Sequence, residues 1–447
     1  MTNLTRLRSL FASLFCLAIL SAAAAWQVSL DDGTSRIAPL RDSGPRFWKG
    51  NLHTHSLWSD GDDFPEMIAD WYKRHGYHFL AMTDHNVLSE GERWIDAEAS
   101  KTRVKALDKY RTRFGDAWVE TRELKGKRQV RLKPLAEFRS VLEDPGRFLM
   151  IPGEEITHRF AKNPVHINAI NLRDVILPVD GTSVRETIQV NHRLVAEQRR
   201  KTGRKILASL NHPNFVWGVR AEDMIGADEL RFFEIYNGHP IVGNYGDDLH
   251  ASCERMWDIV LAIRLGKLRQ SLVYGLATDD AHGYHAFGVG KVNPGRGWTM
   301  VRAPYLSAEA MVKAMEAGDF YASTGVILTD VRAQGKSYTV SIQAEKDVTY
   351  RTQFIATLKD APLSSTPRLD AKGEPLPVTE TYSQEVGKVV AESDKLQATY
   401  QFTGKELYVR ARVTSSKRHP NPYAKGDVEM AWTQPAVPDL SKPDLAN

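Results

Sequence analysis

From Trp48 to about Ala303 the chain repeats one pattern: a short apolar, β-prone run, a polar loop, then a stretch with helical spacing. The runs are Phe79-Leu80-Ala81-Met82-Thr83, Phe148-Leu149-Met150-Ile151, Ile206-Leu207-Ala208-Ser209-Leu210, Phe232-Phe233-Glu234-Ile235-Tyr236 and Leu272-Val273-Tyr274-Gly275-Leu276-Ala277. Continuous apolar character suits strands covered on both faces, and alternation with helices predicts a parallel sheet. Pro65-Glu66-Met67-Ile68-Ala69-Asp70-Trp71-Tyr72 reads as a helix with proline in its first turn, and the stretch around Arg185 to Arg200 reads as another. Residues 90–143 are long and charged for one connection, which predicts a largely helical, solvated insertion over the mouth of the sheet.

After about Leu328 the texture changes. Tyr338-Thr339-Val340-Ser341-Ile342, Gln353-Phe354-Ile355-Ala356-Thr357-Leu358 and Glu406-Leu407-Tyr408-Val409-Arg410-Ala411-Arg412-Val413 alternate between apolar and polar, with turn residues between them. This predicts a small antiparallel β domain over 328–435, sandwich-like in type, with a loose tail over 436–447.

The chemistry lies where the apolar runs stop. His53-Thr54-His55 stands in an extended segment, where residues i and i+2 point the same way, and Ser59-Asp60-Gly61 follows after a short loop. Asp84-His85, Glu154-Glu155, His166, Asn211-His212, Glu234-Ile235-Tyr236-Asn237-Gly238-His239 and Asp279-Asp280-Ala281-His282 hold comparable positions beside later runs. In a β/α barrel the C-terminal strand ends converge on one face, so these imidazoles and carboxylates would share one basin. Any one of them alone would be an ordinary cap or hydrogen-bonded residue. Their joint recurrence points to metal, and the mixed His and carboxylate set fits zinc, manganese or iron better than calcium or magnesium. His75, His78, His192, His250 and His419 read as ordinary exposed or helical histidines.

The N-terminus reads as an export signal over 1–25: Arg6 and Arg8, the apolar run Leu10 to Leu20, then Ser21-Ala22-Ala23-Ala24-Ala25. The apolar run is short for a membrane span, so cleavage without a lasting anchor and a periplasmic or secreted destination are expected. Removal of that leader takes Cys16 with it and leaves Cys253 alone, so a mature chain from 26 onward makes no internal disulfide. Losing Arg6 and Arg8 also lowers the formal charge of +4 by two. That near balance argues against a general nucleic-acid binder, although Lys101 to Lys133 is locally basic.

The ordered set His53-Thr54-His55 with Ser59-Asp60-Gly61, Thr83-Asp84-His85-Asn86, Gly153-Glu154-Glu155, Asn211-His212-Pro213 and Asp280-Ala281-His282 resembles the motifs of the PHP (polymerase and histidinol phosphatase) family. The resemblance covers roughly Trp48 to Ala303. It implies an α/β fold, a distorted seven-stranded β/α barrel over 26–327, with two to three divalent transition-metal ions. Carried over by position, His53, His55, Glu155 and Asp280 would hold a first ion. Glu155 would also serve a second, with His166 and His212, while Asp60, His85 and His282 would hold a third. Glu155 rather than Glu154 matches the family's Gly-x-Glu pattern, and His158 competes with His166 for its position. Asp60 stands where many members have histidine, which implies a weaker third site. Softer matches at Val165-His166-Ile167-Asn168, Glu234-Ile235-Tyr236-Asn237-Gly238, Gly318-Asp319-Phe320-Tyr321 and Trp432-Thr433-Gln434-Pro435 are similar to a secreted, carbaryl-hydrolase-like subgroup.

Together these features imply an exported metal-dependent hydrolase of a small-molecule ester, foremost a phosphoesterase using a hydroxide shared between metal ions. Carboxylic or carbamate ester hydrolysis on the same metals is the alternative, and a non-catalytic metal-holding module is a third reading. Asp84 and Asp279 are candidates for proton transfer or for orienting ligands. Asn237, His239 and His285 are candidates to line the pocket, and Arg159 and Lys162 to pair with an anionic substrate.

Overall fold

The computed structural model describes residues 44–438, so the expected export signal and most of the tail lie outside the described residues. The described part is a mixed α/β fold around one large sheet. Its elements run β1 (Arg46–Asn51), α1 (Pro65–Arg74), β2 (Phe79–Met82), β3 (Arg93–Asp96), α2 (Lys101–Phe114), β4 (Thr121–Leu124), β5 (Lys127–Leu132), α3 (Leu135–Leu142), β6 (Leu149–Phe160) and β7 (Asn163–Ile170). Then come α4 (Val184–Thr202), β8 (Leu207–Leu210), α5 (Ala221–Ile225), β9 (Phe232–Asn237), α6 (Cys253–Ile263), β10 (Tyr274–Thr278), β11 (Trp298–Ala303), α7 (Ala308–Glu316) and β12 (Phe320–Ser323). The remaining strands are β13 (Leu328–Gln334), β14 (Ser337–Ile342), β15 (Tyr350–Leu358), β16 (Ser365–Thr366), β17 (Thr381–Tyr382), β18 (Lys388–Ser393), β19 (Gln397–Gln401), β20 (Glu406–Arg418) and β21 (Val428–Thr433). Among the described residues no helix is long and apolar enough to cross a membrane.

The main sheet has thirteen strands in the order β10-β9-β8-β7-β6-β2-β1-β11-β12-β21-β20-β15-β18. β1 pairs with β2, β2 with β6, β8 with β9 and β9 with β10, all in parallel. The expected parallel arrangement needs two corrections: β7 runs antiparallel to both β6 and β8, and β11 runs antiparallel to both β1 and β12. β6 returns into β7 through the tight turn Ala161-Lys162, with Ala161 at φ 53°, so no crossover helix separates them. The consequence is local to the site: Glu155 pairs with Asn168 and Thr157 with His166. Glu155 and His166 thereby face the same side of one hairpin.

The sheet curls until the segments after β1 and β10 meet. His55 N donates to Ala281 O at 2.9 Å and Asp280 N donates to His53 O at 3.1 Å. Strand interiors under this curl are apolar and closed to water, with Phe79, Ile151, Leu276 and Val301 in one cluster. Helix α4 covers a neighbouring face through Val184, Ile188 and Val195. Its start is set by Ser183, whose side chain accepts from Glu186 N, and its end by Gly203 at φ 71°.

The insertion is less helical than its charge pattern predicts. α2 and α3 flank a three-stranded antiparallel sheet, β3-β5-β4, whose hairpin turns at Lys125-Gly126 with both residues at positive φ. It is fastened to α1 by Tyr110 Oη donating to Glu66 Oε1 at 2.5 Å and by Arg113 Nη2 to Asp70 Oδ1 at 2.7 Å. The Tyr110 and Phe64 rings stack with centroids 4.2 Å apart.

Beyond β12 the main sheet continues without a break, because β12 pairs with β21. The three-stranded sheet β13-β14-β19 lies over this end, with Tyr338, Val340 and Ala398 meeting Phe354, Val409 and Ala411 in a common apolar cluster. Arg410 ties the C-terminal strands to α6, donating to Asp258 at 2.6 and 2.8 Å and to Glu254 at 2.9 Å.

Candidate metal centre

Residues 53–55 leave β1 still extended. Thr54 turns toward β2, its hydroxyl donating to Ala81 O at 2.7 Å, so His53 and His55 turn the other way, both fully buried. Asp60 returns to them through a loop closed by Gly61. A Cβ on Gly61 would lie 2.4 Å from His55 O, which demands glycine there.

The nine residues expected to carry metal all lie in overlapping donor groups whose ligand atoms are within 4.8 Å of one another. Those groups are His53, His55 and Glu155; His53, His212 and Asp280; Glu155, His166 and His212; and His55, Asp60, His85 and His282. Two details differ from the sequence-based partition. His55 also belongs with Asp60, His85 and His282, and Asp280 is grouped with His53 and His212. Even so, Asp280 Oδ1 is 3.2 Å from the Nε2 of both His53 and His55.

Glu155 is the hub. Its Oε1 lies 3.1 Å from His166 Nδ1, 3.2 Å from His212 Nε2 and 3.4 Å from His53 Nε2, while Oε2 lies 2.8 Å from His85 Nδ1 and 3.4 Å from His55 Nε2. Asp60 closes the outer side, 3.4 Å from His282 Nε2 and 3.5 Å from His85 Nε2, with its side chain 56 % exposed. The alternatives resolve geometrically. Glu154 turns from the basin to accept from Ile176 N at 2.7 Å, and His158 pairs with Asp180 at 2.8 Å.

This donor set fits a divalent ion. His53 Nε2, both ring nitrogens of His55 and Glu155 Oε2 are buried without a hydrogen-bond partner. Polar atoms stranded in this way are costly, and a cation among them removes the cost. Ligands about 2.1 Å from one tetrahedral ion lie roughly 3.4 Å apart, close to the separations around Glu155 and Asp280. The electrostatics agree. Burial opposes charge on Glu155 and Asp280, yet neighbouring histidines, His53 foremost, hold both carboxyls well below their usual range. Burial and the nearby His282 push the His55 imidazole down to about 3, so it stands as a neutral ligand.

Two donors sit in strained backbone: His212 at φ 23° and Asp280 at φ 49°. Both are pinned by their own N–H groups, His212 N to Glu234 Oε2 at 2.8 Å and Asp280 N to His53 O. Glu234 entered the sequence reading only as part of a motif, with no role of its own. It is buried in β9, contacts His53 Nδ1 at 2.7 Å, and accepts from Thr278 Oγ1, His212 N and Asn237 Nδ2. A lone carboxylate inside an otherwise apolar strand run was the available signal. Asn211 was read only as part of a motif; its Nδ2 donates to Glu155 Oε1 at 2.8 Å.

Asp84 and Asp279 hold loops next to the donors. Asp84 accepts from Ser56 N, Ser56 Oγ and Ser59 Oγ, which shapes the loop to Asp60. Asp279 accepts from Tyr72 Oη and from the N–H groups of Gly295, Arg296 and Gly297. Of the two roles considered for them, these contacts match the orienting one.

The five expected pocket residues divide. Asn237 donates to Asp280 Oδ2 at 3.1 Å as well as to Glu234, so it positions a donor. His239 packs edge-on to His282, ring centroids 5.6 Å apart, at the rim of the basin. His285 lies further out, its Nε2 3.0 Å from Asp62 O. Arg159 and Lys162 line a cleft of about 420 Å³ beside His166, walled by Thr157, Phe215 and Val216. Neither cation has an ion-pair partner among the described residues.

No protein-family model matches the chain. The DNA polymerase/3'-5' exonuclease PolX of Bacillus subtilis (strain 168) is 35% identical over 66 residues, covering 15% of this chain and 12% of that protein. The chain thus matches only about an eighth of that relative's length. Among solved structures, a two-domain protein with a predicted PHP-like metal-dependent phosphoesterase from Bacteroides vulgatus ATCC 8482 superposes with TM-score 0.36 and 15% identity, over 88% of this chain and 96% of that one. An amidohydrolase from Chromobacterium violaceum with bound sulfate superposes with TM-score 0.26 and 13% identity, over 52% of this chain and 87% of that one. Function is therefore read from the donor set itself.

Proposed function

We propose that this chain is an exported, metal-dependent phosphoesterase of the PHP family, its curled sheet a PHP-type barrel. Its donors would hold two to three ions of zinc, manganese or iron: His53, His55, Glu155 and Asp280; Glu155, His166 and His212; and Asp60, His85 and His282 with His55. The carrying observation is the convergence of stranded, buried donor atoms on Glu155 next to a cleft lined by two cations that have no ion-pair partner among the described residues. Ions bound there supply Lewis acidity and make water acidic enough to react near neutral pH.

The protein's own groups do the rest. Arg159 and Lys162 attract an anionic ester and orient it toward His166. Phe215, whose ring centroid is 5.0 Å from that of His212, excludes water from that side. Glu234, Asn237 and Asn211 keep the donors aligned.

The apolar wall of the same cleft, Pro164, Phe215 and Val216, favours a second reading: a carboxylic or carbamate ester with an apolar leaving group. A parallel screen of nitrophenyl phosphate, bis-nitrophenyl phosphate and nitrophenyl acetate on metal-loaded protein separates the two. Phosphate ester turnover lost in His55→Ala supports the proposal. Predominant acetate turnover lost in the same variant overturns it in favour of the second reading, and no turnover of any ester favours a metal-holding module.

A further inference from the structure

The cleft beside His166 does not end at Val216. A second cleft, about 490 Å³, opens on the far side of that residue, and both are lined by Lys162 and Val216. Trp217, Arg220 and Asn163 line its floor and sides, while Pro377 and Val378 of the C-terminal region form its outer wall. That wall is anchored: Ala221 N donates to Thr379 Oγ1 at 3.0 Å and Glu380 N to Glu222 Oε1 at 3.1 Å.

The ridge between the clefts is strained. Val216 has φ 43° and Trp217 φ 59°, and positive φ is costly for a β-branched or bulky side chain. The loop is held there from both sides. Phe215 N bonds His212 O at 2.8 Å, Gly218 N bonds Phe215 O at 3.1 Å, and Asn214 Nδ2 bonds Gly243 O and Ala251 O. The Trp217 ring stacks on His250 with centroids 4.0 Å apart. This conformation sets Phe215 against the donors while leaving Val216 57 % exposed between the clefts. Strain kept in place by so many bonds is a mark of function rather than of packing.

We infer that the two clefts form one groove for an elongated phosphodiester, with the scissile phosphate beside His166 and one ester group carried over the Val216 ridge into the Trp217–Pro377 cleft. Cations suit the span: Lys162 faces both compartments, and Arg220, paired with Asp223 at 3.2 Å, borders the second. The C-terminal region thereby becomes part of substrate selection. The inference rests on the phosphoesterase reading for its chemistry but on the groove for its substrate shape.

The test uses the full chain with Pro377→Trp, which fills the second cleft from its exposed rim, and Arg220→Ala, which removes a cation from it. On metal-loaded protein, the ratio of kcat/KM for bis(4-nitrophenyl) phosphate to that for 4-nitrophenyl phosphate should fall at least tenfold in each variant. Calorimetric titration of metal-free protein with bis(4-nitrophenyl) phosphate should show affinity at least fivefold weaker. An unchanged ratio together with unchanged affinity overturns the groove. Should the parent hydrolyse neither ester yet lose diester binding on substitution, the groove stands and the phosphoesterase reading fails. Thermal melts report folding, and Arg220→Ala decides if Pro377→Trp does not fold.

Discussion

Glu234 Oε1 lies 2.7 Å from Nδ1 of His53, and its two oxygens take four neighbouring groups in all. The contact places the His53 proton on Nδ1 and leaves Nε2 directed at Glu155 and Asp280, 3.4 and 3.2 Å away. A carboxylate behind a ligating imidazole fixes its tautomer and raises its basicity.

Glu234→Gln should therefore weaken metal binding without unfolding the sheet. We expect roughly 10–100-fold lower affinity by chelator competition, the range typical of such supporting groups. Far-UV circular dichroism should be unchanged, because the amide keeps the shape of the carboxylate.

Glu155 contributes to two donor groups and His166 to one, so the two substitutions should differ in stoichiometry. Glu155→Ala should lose more metal per chain than His166→Ala, measured by elemental analysis after desalting. Chelator treatment of the parent should lower Tm. Each tenfold excess of free metal over its dissociation constant should restore about 1.4 kcal/mol of stability. A Tm indifferent to chelator would place no metal on this fold.

Glu66 gives one pH dependence of stability. Burial beneath α2 pushes its carboxyl up to about 7, despite hydrogen bonds from Tyr110 and Trp118 that favour ionisation. Unfolded, it ionises near 4.5. The folded protein thus binds the extra proton between those values. The contribution to stability is complete below pH 4.5 and is lost as pH rises to 7. Glu66→Gln, which never ionises, should match the parent at pH 4 and exceed it by about 3 kcal/mol at pH 8 in denaturant titrations.

Arg410 is 1 % exposed and bridges Asp258 and Glu254 on α6. Arg410→Met leaves Asp258 without an ion-pair partner among the described residues, while Glu254 keeps Arg412 at 2.9 Å, and should cost about 3–5 kcal/mol, read as a lower denaturation midpoint. The loss should be smaller when Asp258→Asn is added, since the stranded charge is then removed.

Much of the site is legible along the chain because most of its polar residues stand where an apolar run stops. Most metal-capable residues from His53 to His282 follow or border an apolar run, and that signal is local, although the strands themselves run on past Glu155 and His166. Glu234 carries no such signal: it lies inside the run Phe232-Phe233-Glu234-Ile235-Tyr236, where its role depends on His53, distant in sequence. The β-rich character of the insertion was hidden by its charge, since alternation in Lys127–Leu132 counts for more than net charge once Lys125-Gly126 turns the chain.

Local sequence dictates which segments become buried strands and which side chains capable of holding metal stand at their ends, because burial and alternation depend on near neighbours. Which of those side chains share one basin is a matter of tertiary structure. The antiparallel return of β7 carries His166 to Glu155, the curl of the sheet carries Asp280 to His53, and the strained Val216 ridge sets two clefts side by side. Each of these depends on strand direction and on backbone bonds between segments far apart in the chain, which no local pattern of residues specifies.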